Sequence, residues 1–316
     1  MRSASAADIV GRISLYTFTA FLVWFGAAAV SSVLLVVAPH LSVVAACHPM
    51  LVSATVLCGA GFFFNVTICH RFLVAHRVAK TLPLDGARVH VGLTAYNDEE
   101  AIAPAVEDFK RTSLAHRVIV VDNNSSDGTS TVAARAGADA VVIETRPGYG
   151  SCCMRALAEA AAGADVIVLC EGDMTFSSRD ISKLLSYLEN CDLVLGTRAT
   201  QELREPGTQM DWLINPANQL VAKLIQIRFW GTRLTDVGCT YRAIRADAYR
   251  RVAPKLSVRG NHFSPHMTIE TLKLGLSVIE IPVFFKKRVG VSKGVGANKL
   301  KAARVAVSML RLLYSA

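Results

Sequence analysis

The sequence predicts an α/β domain, a mostly parallel sheet with helices on both faces, preceded by a two-helix transmembrane hairpin. Three observations predict it. Residues 13–70 contain no Asp, Glu, Lys or Arg. From Arg88 onward, short β-rich runs alternate with helical ones, the pattern of a parallel sheet covered by helices. Polar and acidic clusters follow the strand candidates, which is where ligands of such sheets bind.

The apolar segment divides into two runs, 14–37 and 41–67, separated by Pro39-His40. Each is long enough to cross a hydrocarbon core of ~30 Å at ~1.5 Å per residue. The connection is so short that the helices must run antiparallel. Arg2 and Arg12 precede the first run, Arg71, Arg77 and Lys80 follow the second, and the turn carries none. The positive-inside bias therefore places both ends, and the domain that follows, in the cytoplasm. A cleaved signal sequence has a shorter apolar core and leaves the second run unexplained. The expected organisation is a cytoplasmic N-terminus (1–13), hairpin (14–67), juxtamembrane linker (68–87), α/β domain (88–293) and basic amphipathic helix (294–316).

Of 316 residues, 52% are hydrophobic and 19% charged, and the net charge is +9. That balance suits an anionic membrane surface or phosphorylated ligands. No basic stripe is interleaved with aromatics, so nucleic acid is not an expected partner. The eight cysteines show no C-x-x-C spacing, which argues against zinc or a dithiol and for reduced packing residues.

Strands are expected at 89–93, 117–121, 140–143 and 165–170. A helix opens at Asn97-Asp98-Glu99-Glu100 with acidic residues in its first turn, and another covers about 151–162. Three strand ends carry the polar clusters: Thr94-Ala95-Tyr96-Asn97-Asp98-Glu99, Asp122-Asn123-Asn124-Ser125-Ser126-Asp127-Gly128-Thr129 and Glu171-Gly172-Asp173. The last puts two carboxylates one residue apart beyond a buried strand. Such hard oxygens suit Mg²⁺ or Mn²⁺ shared with substrate phosphates, Gly172 leaving room for the ligand; an acidic turn is the alternative. There is no G-x-G-x-x-G and no P-loop. Gly148-Tyr149-Gly150 reads equally as a phosphate-approach turn or an ordinary one.

These segments resemble the three signature motifs of family-two glycosyltransferases with the Rossmann-like GT-A fold. Within that family they are most similar to the dolichyl-phosphate mannose synthase and polyprenyl-phosphate glycosyltransferase branch, over about 88–293. The resemblance implies that Thr94, Tyr96, Asp98 and Asp122 hold the donor nucleotide, that Asp173 is the principal metal carboxylate, and that Glu171 stands at the first acidic position of D-x-D. Three residues depart from the pattern: Thr94 for Pro, Asn123 for a second Asp, and Glu171 for Asp. Further on, Asp192-Leu193-Val194-Leu195-Gly196-Thr197-Arg198 resembles the family strand ending in Gly-x-Arg. Thr235-Asp236-Val237-Gly238-Cys239-Thr240-Tyr241-Arg242-Ala243 resembles the acceptor-side segment. Arg198 and Asp236 thus join Asp173 as catalytic candidates, Asp236 as positioning residue or base. Arg288-Val289-Gly290-Val291-Ser292-Lys293 resembles the R-x-G-x-S-K loop, whose Arg288, Ser292 and Lys293 suit a grip on phosphate oxygens. The tail has apolar residues at helical spacing among Lys299, Lys301, Arg304 and Arg311, which suits a membrane surface or packing on the domain. The implied activity is inverting transfer of a sugar from a nucleotide-sugar donor to a polyprenyl phosphate at the cytoplasmic membrane face. A glycan or glycolipid acceptor, and a non-catalytic binding protein, stay open as alternatives, as does homo-oligomerisation.

Overall fold

The computed structural model describes residues 6–69, 81–208, 214–230, 232–290 and 299–316. The chain forms two compact units. One is Met1–Val78 with Gln226–Gly231, and the other is Ala79–Ile225 with Thr232–Ala316.

The first unit is the apolar hairpin. Helix α1 (Ala6–Val37) and helix α2 (Ser42–Phe64) pack on each other, and α2 ends in a π-helical turn, Asn65–Cys69. Both are long and apolar enough to cross a membrane. Their outward faces are bare apolar surface, with Val36 82% and Val43 73% exposed. Helices from the core of a soluble domain would bury those residues. Phe18 packs on Phe62 with ring centroids 4.9 Å apart. Two polar contacts fix the register across the hairpin: Asn65 donates to Ser14 Oγ at 2.9 Å, and Ser31 Oγ lies 2.8 Å from His48 Nδ1. In an apolar surround such bonds favour one register of the pair. Helix α1 starts ahead of the expected boundary at 14, and its first turns carry an ion-pair chain. Asp8 pairs with Arg12 at 3.1 Å and with the buried Arg228 at 2.5 Å.

The second unit is built on a seven-stranded sheet among the described residues. Its strands are β1 (Val89–Ala95), β2 (Arg117–Asp122), β3 (Ala140–Ile143), β4 (Val166–Glu171), β5 (Leu193–Thr197), β6 (Arg242–Arg245) and β7 (Val278–Pro282). The order is β3-β2-β1-β4-β6-β5-β7. Pairs are parallel except where β6 runs antiparallel between β4 and β5. β1 is buried along its whole length and β4 over all but its last residue, as expected of strands covered on both faces. The connections supply α3 (Glu99–Arg111), α4 (Thr129–Arg135), α5 (Tyr149–Ala161), α6 (Ile181–Leu188), α8 (Ala246–Val252) and α9 (Phe263–Lys273). Helix α7 (Ile214–Phe229) begins in this unit. On α3, Ile102, Val106 and Phe109 fall on one face and enter the core, the spacing of an amphipathic helix. β6 escapes a hydrophobic-pattern reading because two of its four residues are arginine.

Register sets the functional rim. Ala95 lies beside Asp122 across β1–β2, and Thr94 beside Glu171 across β1–β4. Three parallel strands thus end at one edge, with Asp122 of β2 and Glu171 of β4 flanking the end of β1. Helix α10 (Lys299–Ser315) packs near α9 and buries Leu313, while Arg304, Val307 and Arg311 stay exposed.

Candidate active site

The turns after β1 and β2 are knitted together by side chains. Asn97 N donates to Ser125 Oγ at 2.8 Å, and Ser126 N donates to Asn97 Oδ1 at 2.7 Å. Asp98 N donates to Thr129 Oγ1 at 2.9 Å, and Gly128 N to Glu99 Oε2 at 3.0 Å. Asn97 and Asn124 both adopt positive φ, 50° and 63°, a conformation asparagine tolerates better than most residues. Asp122 is buried, and both of its oxygens accept from hydroxyls, those of Ser125 and Ser130. It shapes the turn as well as standing at the rim. Thr94 accepts Gly172 N on its carbonyl at 2.9 Å, and Tyr96 is 47% exposed above the turn.

A second pair of turns delivers opposite charge. Lys286 N donates to Thr175 O at 2.8 Å and Val289 N to Asp173 O at 3.3 Å, so the segment after β7 is clamped to the turn after β4. Arg288 is carried into the rim between them. Its Nη2 donates to Asp98 Oδ1 at 2.7 Å and its Nη1 to Asp173 Oδ2 at 3.0 Å. One guanidinium therefore joins residues from three strand ends. Asp173 Oδ1 accepts from Thr175 N at 3.0 Å and from Thr175 Oγ1 at 2.5 Å. Burial and the nearby Glu171 charge push the Asp173 carboxyl up to about 6, and Arg288 only partly offsets them.

This pair carries more negative charge than its surroundings neutralise. Two hard carboxylates with that excess fit a small divalent cation that completes its coordination with phosphate oxygens and water. Asp173 and Glu171 are the residues that would hold it. Gly172 between them is also closely packed: a Cβ there would lie 2.6 Å from Ile102 Cδ1 and 3.3 Å from Thr94 O.

The acceptor-side candidates form a separate cluster. Arg198 grips Asp236 with Nε at 2.7 Å and Nη2 at 2.9 Å, and its backbone N adds a bond at 3.0 Å. Asn218 on α7 donates at 2.5 Å and Gly238 N at 3.0 Å. Burial alone would raise the Asp236 carboxyl; the Arg198 charge and these donors bring it down to about 2. The same partnership raises Arg198 above the usual guanidinium range against the effect of burial. Glu280 on β7 holds the loop from below, accepting from the backbone N of Thr235 and of Asp236 at 2.7 and 2.9 Å. Asp236, with both oxygens filled by donors, is built to hold its loop and Arg198 in place.

The Gly148-Tyr149-Gly150 turn has its own explanation. A Cβ on Gly148 would lie 2.5 Å from Arg259 O, and one on Gly150 2.2 Å from Val258 O. Gly148 also takes φ 119°, open only to glycine. The glycines admit the backbone of 258–259, so packing by itself accounts for them. Asn123, where the family pattern has an acid, spans the same turn as an amide. It donates to Glu144 O at 3.0 Å and Arg146 O at 2.7 Å, and accepts from Gly148 N at 2.9 Å. Glu270 lies on α9 and pairs with Lys273 at 3.0 Å. Ser292 and Lys293 lie outside the described residues.

Asn218 and Glu280 carry no motif. The one sequence signal for Glu280 is a carboxylate inside an apolar strand, which implies a partner. Nothing local marks Asn218.

Known proteins resemble this chain in sequence and in fold. The sequence pattern described as glycosyl transferase family 2 matches residues 91–253. An undecaprenyl-phosphate mannosyltransferase of Micrococcus luteus is 30% identical over 223 residues, covering 66% of this chain and 88% of that protein. A polyprenol monophosphomannose synthase of Mycolicibacterium smegmatis is 27% identical over 225 residues, covering 67% and 82%. Among solved structures, glucosyl-3-phosphoglycerate synthase from Mycobacterium tuberculosis, in complex with Mn²⁺, uridine diphosphate and phosphoglyceric acid, matches with a TM-score of 0.56 and 18% identity. That match covers 75% of this chain and 84% of the synthase and is a likeness of fold, GT-A.

Proposed function

The chain belongs to glycosyl transferase family 2 and is a glycosyltransferase, and from that premise we propose that it transfers a sugar from a nucleotide-sugar donor to a polyprenyl phosphate at the cytoplasmic membrane face. The observation that carries this reading is Arg288 bridging Asp98 and Asp173. It brings a cation and two carboxylates to the rim where a donor diphosphate would lie. The named substrates of the Micrococcus and Mycolicibacterium relatives supply the acceptor class, and the apolar hairpin supplies a means of meeting a lipid.

In this reading the turns around Tyr96, Asp98 and Asp122 hold the nucleotide. Asp173 and Glu171 hold Mg²⁺ or Mn²⁺, which when bound neutralises charge on the leaving diphosphate. Arg288 supplies further positive charge on the same side, with Lys293 and Ser292 of its loop as additional phosphate ligands. Arg198, fixed by Asp236, stands on the acceptor side. The attacking phosphate oxygen is already ionised near neutral pH, so the protein needs to position and neutralise rather than remove a proton. An Asp236 carboxyl near 2 with every lone pair occupied agrees with that division of labour. Attack opposite the leaving group inverts the anomeric centre.

The test is a donor screen with the full chain purified in detergent with Mn²⁺. Undecaprenyl phosphate, undecaprenol and a neutral glycolipid serve as acceptors, with lipid-linked sugar as readout. Product only with the phosphorylated lipid is expected. Equal product with the neutral glycolipid, or none with any donor, would discard the proposal.

A further inference from the structure

Glu171 departs from the family pattern by one methylene, and the structure shows what its longer arm reaches. β4 and β6 are antiparallel with Leu169 opposite Arg242. Continued by two residues, that register sets Glu171 opposite Thr240. Thr240 Oγ1 donates to Glu171 Oε1 at 2.6 Å. Tyr149, the first residue of α5, donates its phenol to the same oxygen at 3.2 Å. The phenol and threonine oxygens also lie against each other; with one proton apiece, both directed at Glu171, they meet as neighbours on the same acceptor. Three side chains from β4, α5 and the strand-entry segment of β6 thus close a small ring of oxygens.

The ring is rigidly backed. Thr240 is 1% exposed. Two residues on, the Arg242 guanidinium is buried and donates to the carbonyls of Cys239, Thr240 and Ser264, pinning the backbone that carries the hydroxyl. The glycines flanking Tyr149 seat its turn against 258–259.

We infer that Tyr149 and Thr240 are positioning residues that act through Glu171, their paired hydroxyls holding Oε1 so that the carboxylate serves the cation site beside Asp173. This rests on the proposed reading of that cleft. It assigns a cause to the glutamate: an aspartate at 171 ends one methylene short of Thr240, and restoring the common family residue removes the anchor. Partners that orient a metal-binding carboxylate change metal affinity or activity by roughly 10–100-fold when lost.

The experiment uses the full chain purified in detergent. Mn²⁺ binding is read from the free-ion EPR signal, alone and with UDP or GDP, and turnover is read alongside. Thr240→Val and Tyr149→Phe should each weaken Mn²⁺ binding by about 10–100-fold and lower kcat, with little change in melting temperature. Thr240→Ser, which keeps the hydroxyl, should bind Mn²⁺ as the parent does. Glu171→Asp should weaken binding as Thr240→Val does, and the double variant should be no worse than Glu171→Asp alone, because both remove one interaction. The inference is overturned if Thr240→Val binds Mn²⁺ like the parent, if Glu171→Asp binds as well or better, or if the two losses multiply. A parent chain that binds no Mn²⁺ under any of these conditions overturns it too. Should the Mn²⁺ pattern appear while no sugar reaches polyprenyl phosphate, the inference stands and the acceptor assignment falls.

Discussion

Asp173 and Asp236 are both buried aspartates facing an arginine, yet the protein drives their acidities in opposite directions, to about 6 and about 2. The difference lies in how the neutralising groups are shared. Asp236 has Arg198 to itself through a two-pronged contact, and adds Asn218 and two backbone donors. Asp173 shares Arg288 with Asp98 and sits beside a second carboxylate, Glu171. One cluster is complete without a ligand. The other has negative charge in excess, which in the proposed reading a bound cation would complete. Burial therefore does not by itself set the acidity of a carboxylate; the count of its donors does.

Four substitutions test that contrast and extend it to the donor-side turn. The largest expected effect is on turnover. Asp173→Asn should reduce kcat/KM by about 10³-fold, the scale for losing a centre of electrostatic stabilisation. It should leave the urea midpoint unchanged or slightly higher, since the charge removed was poorly neutralised. A fall in activity under tenfold would erase the distinction drawn here.

Asp236→Ala should act first on the fold. It strands the Arg198 guanidinium, a change worth roughly 3–5 kcal/mol for a buried pair, and urea denaturation of the second unit would measure it. The pH behaviour sharpens the point. Because the folded carboxyl is depressed, its contribution is fully present above the ordinary aspartate range and is lost only as pH falls through about 2. Between pH 5 and 8 its charge is constant. The acid limb of kcat/KM in Asn218→Ala should therefore coincide with that of the parent chain; a limb displaced toward neutrality would show that Asp236 titrates during the reaction.

The smallest effect concerns the donor-side turn. Asn123→Asp restores the acid common in the family but turns two donated bonds, to Glu144 O and Arg146 O, into carboxylate–carbonyl contacts. A loss of about 1–3 kcal/mol is expected from the unsatisfied groups, read as a lower melting temperature. A variant as stable as the parent would mean the amide is incidental.

Legibility in the sequence follows the same division. The strands β1, β2, β3 and β4 and the turns after β1, β2 and β4 could be read because apolar runs and the polar residues that end them are contiguous. The hairpin could be read because nothing else keeps 13–70 free of charge. β6 could not, since its arginines hide a strand whose pairing is set by β4 and β5. The glycines around Tyr149 looked like an invitation to phosphate, and only the approach of 258–259 shows why they are small. Asp236 could be read as part of the acceptor-side segment, but the donors that fill its oxygens, Asn218 and Gly238 among them, could not.

The sequence by itself determined the apolar hairpin, the alternation that builds a parallel sheet, and the kind of chemistry gathered at its rim, because hydropathy, periodicity and motif order are properties of neighbouring residues along the chain. Tertiary structure alone decided which charges are shared and which are satisfied. Arg288 meets Asp98 across 190 positions, and Glu171 meets Thr240 across 69. Desolvation and hydrogen bonding act on neighbours in space, so the acidity of each carboxylate, and with it its role, exists only once the strands are side by side.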